Sequence, residues 1–357
     1  MKINFARLEN FRNVAFADIA LRADSVWIRG QNAQGKTNLL EALGLLYALR
    51  SFRTSEMSAM ILHGQKRTRA LMGISHENFG ECEVIISISD KREASVDGED
   101  IKFSDFIGKF PALAMGSEDI KILRGPPETR RKDADMFISS IDKAYFEELR
   151  KYHASLAQRN ALLRAQDRNE REYVPFERQM AESAREISAA REARLGELGE
   201  LASERYGVLA RENGEEAKIK IRPNCDASDI ESFSSALAAE RETDIARRTT
   251  SRGPHRDDFK ILIGGKDAKL YASEGQQRSA VIALKLAQFE MLKRALVVQP
   301  VILCDDILGE LDASRRAAFW SCIDAEAQII ATSASDAPEE CARRNWKTIA
   351  VSNGKFV

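Results

Sequence analysis

Alternation of apolar and polar residues opens the chain and predicts β-strands in its first third. MKINFARLENF (1–11) alternates in this way, and ECEVIISISD (81–90) and ALAMGSED (112–119) read as further strands. One apolar helix follows a glycine-rich loop directly, within IRGQNAQGKTNLLEALGLLYAL (28–49). This part of the chain therefore predicts a layered arrangement of strands and helices.

A helical periodicity replaces the alternation from about Lys143, where apolar residues recur on one side of a helix. The polar stretch DRNEREYVP (167–175) is expected to end this helix, and a second one is expected from about Phe176 to Leu209. Glycines weaken its end by ~1 kcal/mol each relative to alanine. They are Gly196, Gly199 and Gly207. The pattern predicts a helical hairpin of about 40 Å at ~1.5 Å per residue. A coiled coil is the alternative.

The remainder returns to alternating strands and helices. AKIKIRP (217–223) predicts a strand, and GGKD (264–267) predicts the turn of a hairpin. A helix (275–296), a buried strand (300–306), a helix (314–323) and a strand (328–333) follow. An α/β fold is predicted, in three segments: a first lobe with the glycine-rich loop at 1–142, a helical insertion at 143–245, and a segment that completes the first lobe at 246–357.

Composition narrows the class of protein. The 357 residues carry a net charge of −1, so no global attraction to nucleic acid or anionic membrane is expected. No apolar run approaches the ~20 residues that cross a bilayer, and a signal-peptide core is missing. A cytoplasmic protein without a membrane partner is therefore predicted. The cysteines form no C-x-x-C pair, which favours free thiols. They are Cys82, Cys225, Cys304, Cys322 and Cys341.

GQNAQGKT (30–37) matches the phosphate-binding pattern G-x-x-x-x-G-K-[ST] between a predicted strand and a predicted helix. Its backbone N–H groups are expected to bind phosphate oxygens, assisted by the helix dipole. Lys36 is expected to reach the β- and γ-phosphates, and the Thr37 hydroxyl to hold Mg²⁺. The predicted nucleotide-binding residues of this loop are Gly30, Gln31, Asn32, Ala33, Gln34, Gly35, Lys36, Thr37 and Asn38.

VILCDDILGELD (301–312) combines a buried strand with two carboxylates at its end. Asp305 is predicted to coordinate Mg²⁺, directly or through water, and Asp306 to polarise the attacking water. Lys36 and Asp306 are therefore the candidate catalytic residues. The long interval between the phosphate loop and these acids favours a split ATPase head of the ABC class, with a helical lobe inserted between its halves.

ASEGQQR (272–278) tests that interpretation, because ABC heads carry an LSGGQ-like signature at the start of a helix. Ser273 and the N–H groups of Gly275 and Gln276 are predicted to bind the γ-phosphate of ATP held by another subunit. Asp312 is expected to contact the opposite subunit. Two heads would then meet around two nucleotides, which predicts an ATP-dependent homodimer.

With these motifs in place, the chain resembles the RecF family of bacterial recombination mediators. The matching stretches are NFRN (10–13), GQNAQGKTNLLEAL (30–43), SFR (51–53), QRNALLR (158–164), GPHRDDF (253–259), SEGQQR (273–278) and CDDILGELD (304–312). The resemblance implies an ATP-dependent DNA-binding dimer that acts at gapped or stalled duplex–single-strand junctions. It implies a weak, DNA-stimulated ATPase that supports recombinase loading, with RecR and RecO as partners.

Three positions depart from familiar patterns. Glu274 stands where the RecF family more often has glutamine, and it adds a carboxylate near the expected γ-phosphate. Gly309 replaces the serine of an SELD sequence. Either change is expected to slow or alter hydrolysis without abolishing ATP binding. Thr332 follows a strand at the place where transporter heads carry a histidine.

Two basic clusters are candidate DNA contacts, with ordinary surface charge as the alternative. They comprise Arg124, Arg130, Arg131 and Lys132 in RGPPETRRK, and Arg247, Arg248, Arg252 and Arg256 in ARRTTSRGPHR. Contacts with DNA phosphates would make the affinity fall steeply with salt. His255 is interpreted as the buttress of a turn rather than as a switch.

Two other functions compete with this hypothesis. An ABC transporter ATPase subunit is disfavoured by the missing histidine, the GQQR signature and the helical hairpin. A nucleotide-gated DNA tether without real turnover stays open because of Glu274 and Gly309. A long-armed chromosome-organising ATPase is disfavoured because the predicted hairpin is short.

Overall fold

The computed structural model describes residues 1–166, 169–210, 216–337 and 344–357. Two compact units are present: the first contains Met1–Asp119, Val208–Glu212 and Lys285–Val357, and the second contains Ile120–Gly207 and Asn213–Leu284. The three-segment division expected from the sequence stays a prediction. Among the described residues, no helix has both the length and the apolar character that a membrane span requires.

The predicted mixture of strands and helices is observed. The strands are β1 (Lys2–Phe11), β2 (Val14–Ala20), β3 (Ser25–Arg29), β4 (Thr68–His76), β5 (Gly80–Ile88), β6 (Arg92–Val96), β7 (Glu99–Ile101), β8 (Ala112–Gly116), β9 (Ala217–Arg222), β10 (Asp258–Ile263), β11 (Lys266–Asp267), β12 (Val301–Asp305), β13 (Ile329–Ser333), β14 (Trp346–Ser352) and β15 (Lys355–Phe356). The helices are α1 (Lys36–Ala48), α2 (Phe103–Phe106), α3 (Ile120–Arg124), α4 (Pro127–Ile141), α5 (Lys143–Ala165), α6 (Glu170–Leu209), α7 (Ile230–Ala239), α8 (Arg241–Arg247), α9 (Ala268–Tyr271), α10 (Glu274–Leu296) and α11 (Ala313–Ser321).

The first unit holds a mainly parallel sheet in the order β15-β14-β3-β13-β12-β8. β3, β12 and β13 are short apolar runs, as expected for strands that are covered on both faces. In β13 all five residues are buried. Because these strands are parallel, their carboxyl ends meet at one edge of the sheet. The phosphate loop and the paired aspartates follow strands at this edge.

A second, antiparallel sheet completes the first unit in the order β2-β1-β4-β5-β6-β7. Its strands alternate buried and exposed residues, which explains the period-2 pattern of the opening sequence. Side chains from both sheets and from α1 share one core, which includes Phe11, Met72, Val84, Leu43 and Leu303. This core therefore holds α1 in place, including its N-terminal end, which follows the phosphate loop.

Helices α5 and α6 of the second unit form the predicted antiparallel hairpin. Glu148 of α5 accepts a hydrogen bond from Ser183 of α6 at 2.8 Å, while Arg159, further along α5, reaches back to Glu177 of α6 at 3.1 Å. At ~1.5 Å per residue, the 23 residues of α5 and the 40 of α6 make arms of about 35 and 60 Å. The longer arm exceeds the predicted length.

The expected start of the second helix was wrong, because α6 begins at Glu170 and contains Pro175. Asn169 lies before the helix, and its side-chain oxygen accepts from the N–H of Arg171 at 3.3 Å. Pro175 has no N–H to donate to the carbonyl oxygen of residue 171, so α6 continues through this position without that backbone hydrogen bond. The first residues of the expected break, Asp167 and Arg168, lie outside the described residues.

The remaining predicted elements are confirmed. Strands β10 and β11 form the expected hairpin around Gly264 and Gly265, and β9 pairs with β10 in the same three-stranded sheet. Helix α10 covers the predicted GQQR helix and starts at Glu274. The described cysteines are free thiols, namely Cys82, Cys225, Cys304 and Cys322, while Cys341 lies outside the described residues.

Candidate functional site

The phosphate loop connects β3 to α1, with Gly35 at the N-cap of α1. Ala33 has φ 65° and Gly35 has φ 111°. Left-handed residues of this kind form backbone concavities that bind anions, and glycine adopts such a φ without strain. The Gln34 side-chain oxygen accepts from the N–H of Asn353 at 2.5 Å, which ties the loop to the turn before β15.

Lys36 is the first residue of α1 and is 6% exposed. Its ammonium group donates to the carbonyl oxygens of Gly30 at 2.5 Å and of Gln31 at 3.0 Å. The charge is therefore held over the loop by groups that a phosphate oxygen can replace as acceptor. Asn38, two residues on, donates to the side chain of Asn13 at 2.6 Å.

Thr37 and Asp305 meet at the carboxyl edge of the parallel sheet. The Thr37 hydroxyl donates to Asp305 Oδ1 at 2.9 Å, and the Thr332 hydroxyl donates to the same oxygen at 2.9 Å. Oxygen donors of these types are the ligands that Mg²⁺ prefers, so the side chains present fit that ion. The structure brings together residues that lie far apart in the sequence.

Asp306 follows at φ 54°, with its N–H donating to the Thr332 hydroxyl at 3.2 Å. Partial burial raises the pKa of the Asp306 carboxyl above its usual value, while the Lys36 ammonium opposes the rise and the Asp305 carboxylate adds to it. A Cβ atom at Gly309 would lie 3.7 Å from Asp306 Oδ1. A side chain at position 309 would therefore lie in ordinary van der Waals contact with the Asp306 carboxylate.

Glu41 of α1 accepts hydrogen bonds from residues of both the NFRN and the SFR motif. The sequence alone indicated no structural role for these motifs. Its carboxylate is fully buried and accepts from Arg12 at 2.6 and 2.9 Å, from Arg53 at 3.0 Å and from Ser51 at 2.5 Å. Removing these arginines would leave a buried carboxylate without its cations, which is destabilising because a buried charge needs a partner. These motifs therefore anchor the helix that carries Lys36 and Thr37.

Asp312 caps helix α11. Its Oδ1 atom accepts from the N–H of Arg315 at 2.8 Å and from the Ser314 hydroxyl at 2.8 Å. The side chain of Asp312 is 53% exposed. The carboxylate thus has a local role at a helix N-terminus and stays accessible from solvent.

The signature motif (272–278) lies in the second unit, which contains α10 as far as Leu284. The motif begins α10 with a capping box. The N–H of Ser273 donates to the Gln276 side chain at 2.7 Å, and the N–H of Gln276 donates to the Ser273 hydroxyl at 3.3 Å. This reciprocal pair is the S-x-x-Q form of a capping box. The motif therefore specifies a helix start, with Gly275 between the two partners.

Sequence reasoning missed two residues around this helix start. The Gln277 side chain is 6% exposed and accepts from Arg124 Nε at 2.6 Å. Arg124 also lies 3.8 Å from the Glu274 carboxylate. Gln277 stood within a quoted motif but no contact was predicted for it, because its partners come from other segments of the chain.

The basic candidates divide by their contacts. Arg130 is an internal residue with an ion pair to Asp258 at 2.7 Å, and Arg131 donates to the Asp257 carbonyl oxygen at 2.6 Å. Three other cations make contacts nearer the surface. Lys132 pairs with Glu128 at 2.6 Å and Arg252 with Glu240 at 2.8 Å, while Arg256 donates to the Thr250 carbonyl oxygen at 3.1 Å. Arg247 and Arg248 are exposed and make no ion pair among the described residues.

Comparison with known proteins identifies the family to which this chain is similar. The family model for the RecF/RecN/SMC N terminal domain matches residues 2–356. A DNA replication and repair protein RecF of Streptococcus thermophilus is 32% identical over 354 residues, which cover 97% of this chain and 96% of that protein. The RecF protein of Moorella thermoacetica is 34% identical over 317 residues, covering 88% and 84% of the two chains.

Solved structures indicate the same family and fold as these sequence matches. The recombination mediator protein RecF–ATP of the RecFOR pathway matches with a TM-score of 0.90 and 29% identity, covering 100% of this chain and 97% of that one. An Smc head bound to the C-terminal winged-helix domain of ScpA shares the fold, with a TM-score of 0.57, 17% identity and coverage of 100% and 98%. Family model, sequence and structure thus match over nearly the full length, and the chain, an α/β ATPase head of the ABC type, belongs to the RecF family.

Proposed function

We propose that this chain is an ATP-dependent DNA-repair protein of the RecFOR pathway, with ATP bound at the phosphate loop. The observation that carries the proposal is the 2.9 Å contact between Thr37 and Asp305, beside the Lys36 ammonium. A hydroxyl and a carboxylate in this relation are the Mg²⁺-binding pair of P-loop ATPases. The solved RecF structure with ATP supports the same substrate.

The placement of two charges in this site supports a role in ATP hydrolysis. Lys36 would exchange its carbonyl acceptors for phosphate oxygens and stabilise negative charge on them. Asp306 would orient the attacking water and accept its proton. Mg²⁺, when bound, neutralises phosphate charge. A slow ATPase is expected rather than a fast one, because Glu274 adds a carboxylate near the expected γ-phosphate and Gly309 replaces the serine of an SELD sequence.

ATP would also control assembly. In the proposed homodimer, the first turn of α10 from one copy receives the γ-phosphate of ATP held by the other copy. A helix start with an ordered capping box suits this role, because the N–H of Gly275 and the helix dipole favour an anion. Loss of the γ-phosphate after hydrolysis would weaken the contact, and the dimer would open. Asp312 is the candidate for a further contact between copies.

DNA is the proposed macromolecular partner, in duplex form and at duplex–single-strand junctions. The solved relative acts in a pathway with RecO and RecR, and we propose both as partners of this chain. The contacts that Arg130 and Arg131 make inside the second unit leave other residues to bind DNA. We therefore propose Arg247 and Arg248 as the main DNA contacts, with Lys132 and Arg252 as further surface cations that could bind phosphates.

The test is the solution mass of the Asp306→Asn variant by light scattering, with ATP–Mg²⁺, with ADP, and without nucleotide. Blocked hydrolysis should trap a dimer with ATP–Mg²⁺ alone. Lys36→Met in the same background is the control, and it should stay monomeric because the loop loses its cation. A monomer under all three conditions would contradict the proposed dimer. Phosphate release by the unsubstituted protein, with and without duplex DNA, measures whether the site turns over.

A further inference from the structure

Arg124 ends α3 and contacts two side chains in the first turn of α10. Its Nε atom donates to Gln277 Oε1 at 2.6 Å, and its guanidinium lies 3.8 Å from the Glu274 carboxylate. Both contacts lie within the second unit. Arg124 therefore reaches the signature motif directly, although the sequence placed it among candidate DNA contacts.

Gln277 transmits this contact to the backbone. Its Nε2 atom donates to the carbonyl oxygens of Ala268 at 2.9 Å and of Ala272 at 3.1 Å. Arginine has no acceptor, so the oxygen of the Gln277 amide must face Arg124 and the nitrogen must face the carbonyl groups. Arg124 thereby sets the orientation of an amide that holds the segment entering Ser273.

Glu274 raises an electrostatic problem at the same place. Its carboxylate is 63% exposed in the first turn of α10, where the proposed dimer would bring the γ-phosphate of a second copy. Arg278 donates to Glu274 at 3.0 Å, and with Arg124 it lowers the pKa of that carboxyl. Two like charges close together repel unless a cation offsets them. The two guanidinium groups provide that offset.

We infer that Arg124 is a positioning residue of the signature turn and does not bind DNA. Through Gln277 it holds the backbone that presents Ser273 and Gly275. Together with Arg278 it offsets the charge of Glu274, so that the turn accepts the γ-phosphate of ATP. The inference rests on the proposed function, namely that this turn receives ATP from a second copy of the chain.

The experiment measures the ATP concentration for half-maximal dimerisation in the Asp306→Asn background by light scattering. Arg124→Ala should raise it about tenfold. Affinity of the monomer for a fluorescent ATP analogue, measured at low protein concentration, should stay unchanged because the phosphate loop is intact. Arg150→Ala is the matched control, since Arg150 is an exposed arginine of the second unit that pairs with Glu147. It should leave the midpoint unchanged.

Two further variants separate the two tasks of Arg124. Arg124→Lys keeps the positive charge but not the fork that reaches Gln277, and it should give an intermediate shift. Adding Glu274→Gln to Arg124→Ala removes the repelling charge and should recover part of the loss. A role confined to folding would show no such recovery, and a lower urea midpoint would accompany the shift.

Each remaining outcome overturns the inference. An unchanged midpoint in Arg124→Ala, or an equal shift in Arg150→Ala, would show that Arg124 does not act on the signature. Weaker binding of duplex DNA at saturating ATP, with unchanged dimerisation, would make Arg124 a DNA contact. A parent that stays monomeric with ATP would remove the proposed dimer itself, and the inference with it.

Discussion

At the scale of single residues, His255 has a structural role in the second unit. The Tyr152 hydroxyl donates to Nδ1 of the neutral ring at 2.7 Å, and Nε2–H of the ring donates to the Thr250 carbonyl oxygen at 3.1 Å. Both ring nitrogens are used, which favours the buttress interpretation. Burial lowers the pKa of His255 to about 4, because an imidazolium in this position would lose its water and its hydrogen bond from tyrosine.

His255 should make stability depend on pH. A histidine pKa is about 6.5 in an unfolded chain, so protonation favours unfolding while the folded pKa is about 4. The neutral His255 ring therefore contributes to the free energy of unfolding fully above pH ~6.5. This contribution is lost as the pH falls towards 4, by about 3 kcal/mol in all. Urea unfolding across this range should show a steeper fall for the unsubstituted protein than for His255→Gln.

The control for that measurement is His63→Gln, which changes an exposed histidine of the first unit. It should keep the steep pH dependence. Equal slopes for the unsubstituted protein and for His255→Gln would show that the ring does not resist protonation, and the buttress interpretation would lose its energetic basis.

At the scale of elements, the GPHRDDF motif forms one turn that is fixed from several sides. Arg191 of α6 donates to the Pro254 carbonyl oxygen and to the Asp257 carboxylate, both at 2.8 Å. Arg130 of α4 pairs with Asp258 at the start of β10. The motif thus joins two helices to a strand, which accounts for a density of charged residues that sequence reasoning partly assigned to DNA.

Gly253→Ala should disrupt this turn. Gly253 has φ 133°, and an added Cβ would lie 2.1 Å from the Tyr152 hydroxyl oxygen. Backbone strain and overpacking together should cost about 2–4 kcal/mol of unfolding free energy. Urea unfolding measures the loss.

Gly265→Ala is the matched control, because Gly265 has φ 77° with no atom within 4 Å of the added Cβ. It should cost only the backbone term, about 1 kcal/mol. Adding Tyr152→Phe to Gly253→Ala should recover part of the loss by removing the clashing oxygen. Equal losses for the two alanine variants would mean that the close approach to Tyr152 carries no energy.

At the scale of the whole molecule, a net charge of −1 leaves DNA binding to local cations. Replacing Arg247 and Arg248 together by alanine should lower the slope of log affinity against log salt by about 2, with little change in sequence preference. Fluorescence anisotropy on a short duplex at several salt concentrations measures that slope in the presence of ATP–Mg²⁺.

The control for the DNA measurement removes two other exposed arginines. Arg178 and Arg185 lie on α6 and pair with neighbouring glutamates of the same helix. Their double alanine variant has the same net charge as the Arg247/Arg248 variant and should leave the slope unchanged. Equal slopes for the two variants would place the DNA contact elsewhere.

Local patterns were enough to predict much of this protein. Strand alternation, the phosphate loop and the apolar run before Asp305 depend on neighbouring residues, so β1, α1 and β12 follow from the sequence. The start of α6 was missed, because a proline-containing segment continues as helix when its surroundings stabilise it. Propensity is a weak guide where packing decides.

The sequence by itself determined the order of the motifs, the α/β class and the membership of the RecF family, since these depend on residue types and their spacing. Only the tertiary structure decided which charges meet. Thr37 is hydrogen-bonded to Asp305, and Arg124 to Gln277. Arg12 and Arg53 form ion pairs with Glu41. Side chains far apart in the chain find their partners through packing and burial, and no local pattern records those distances.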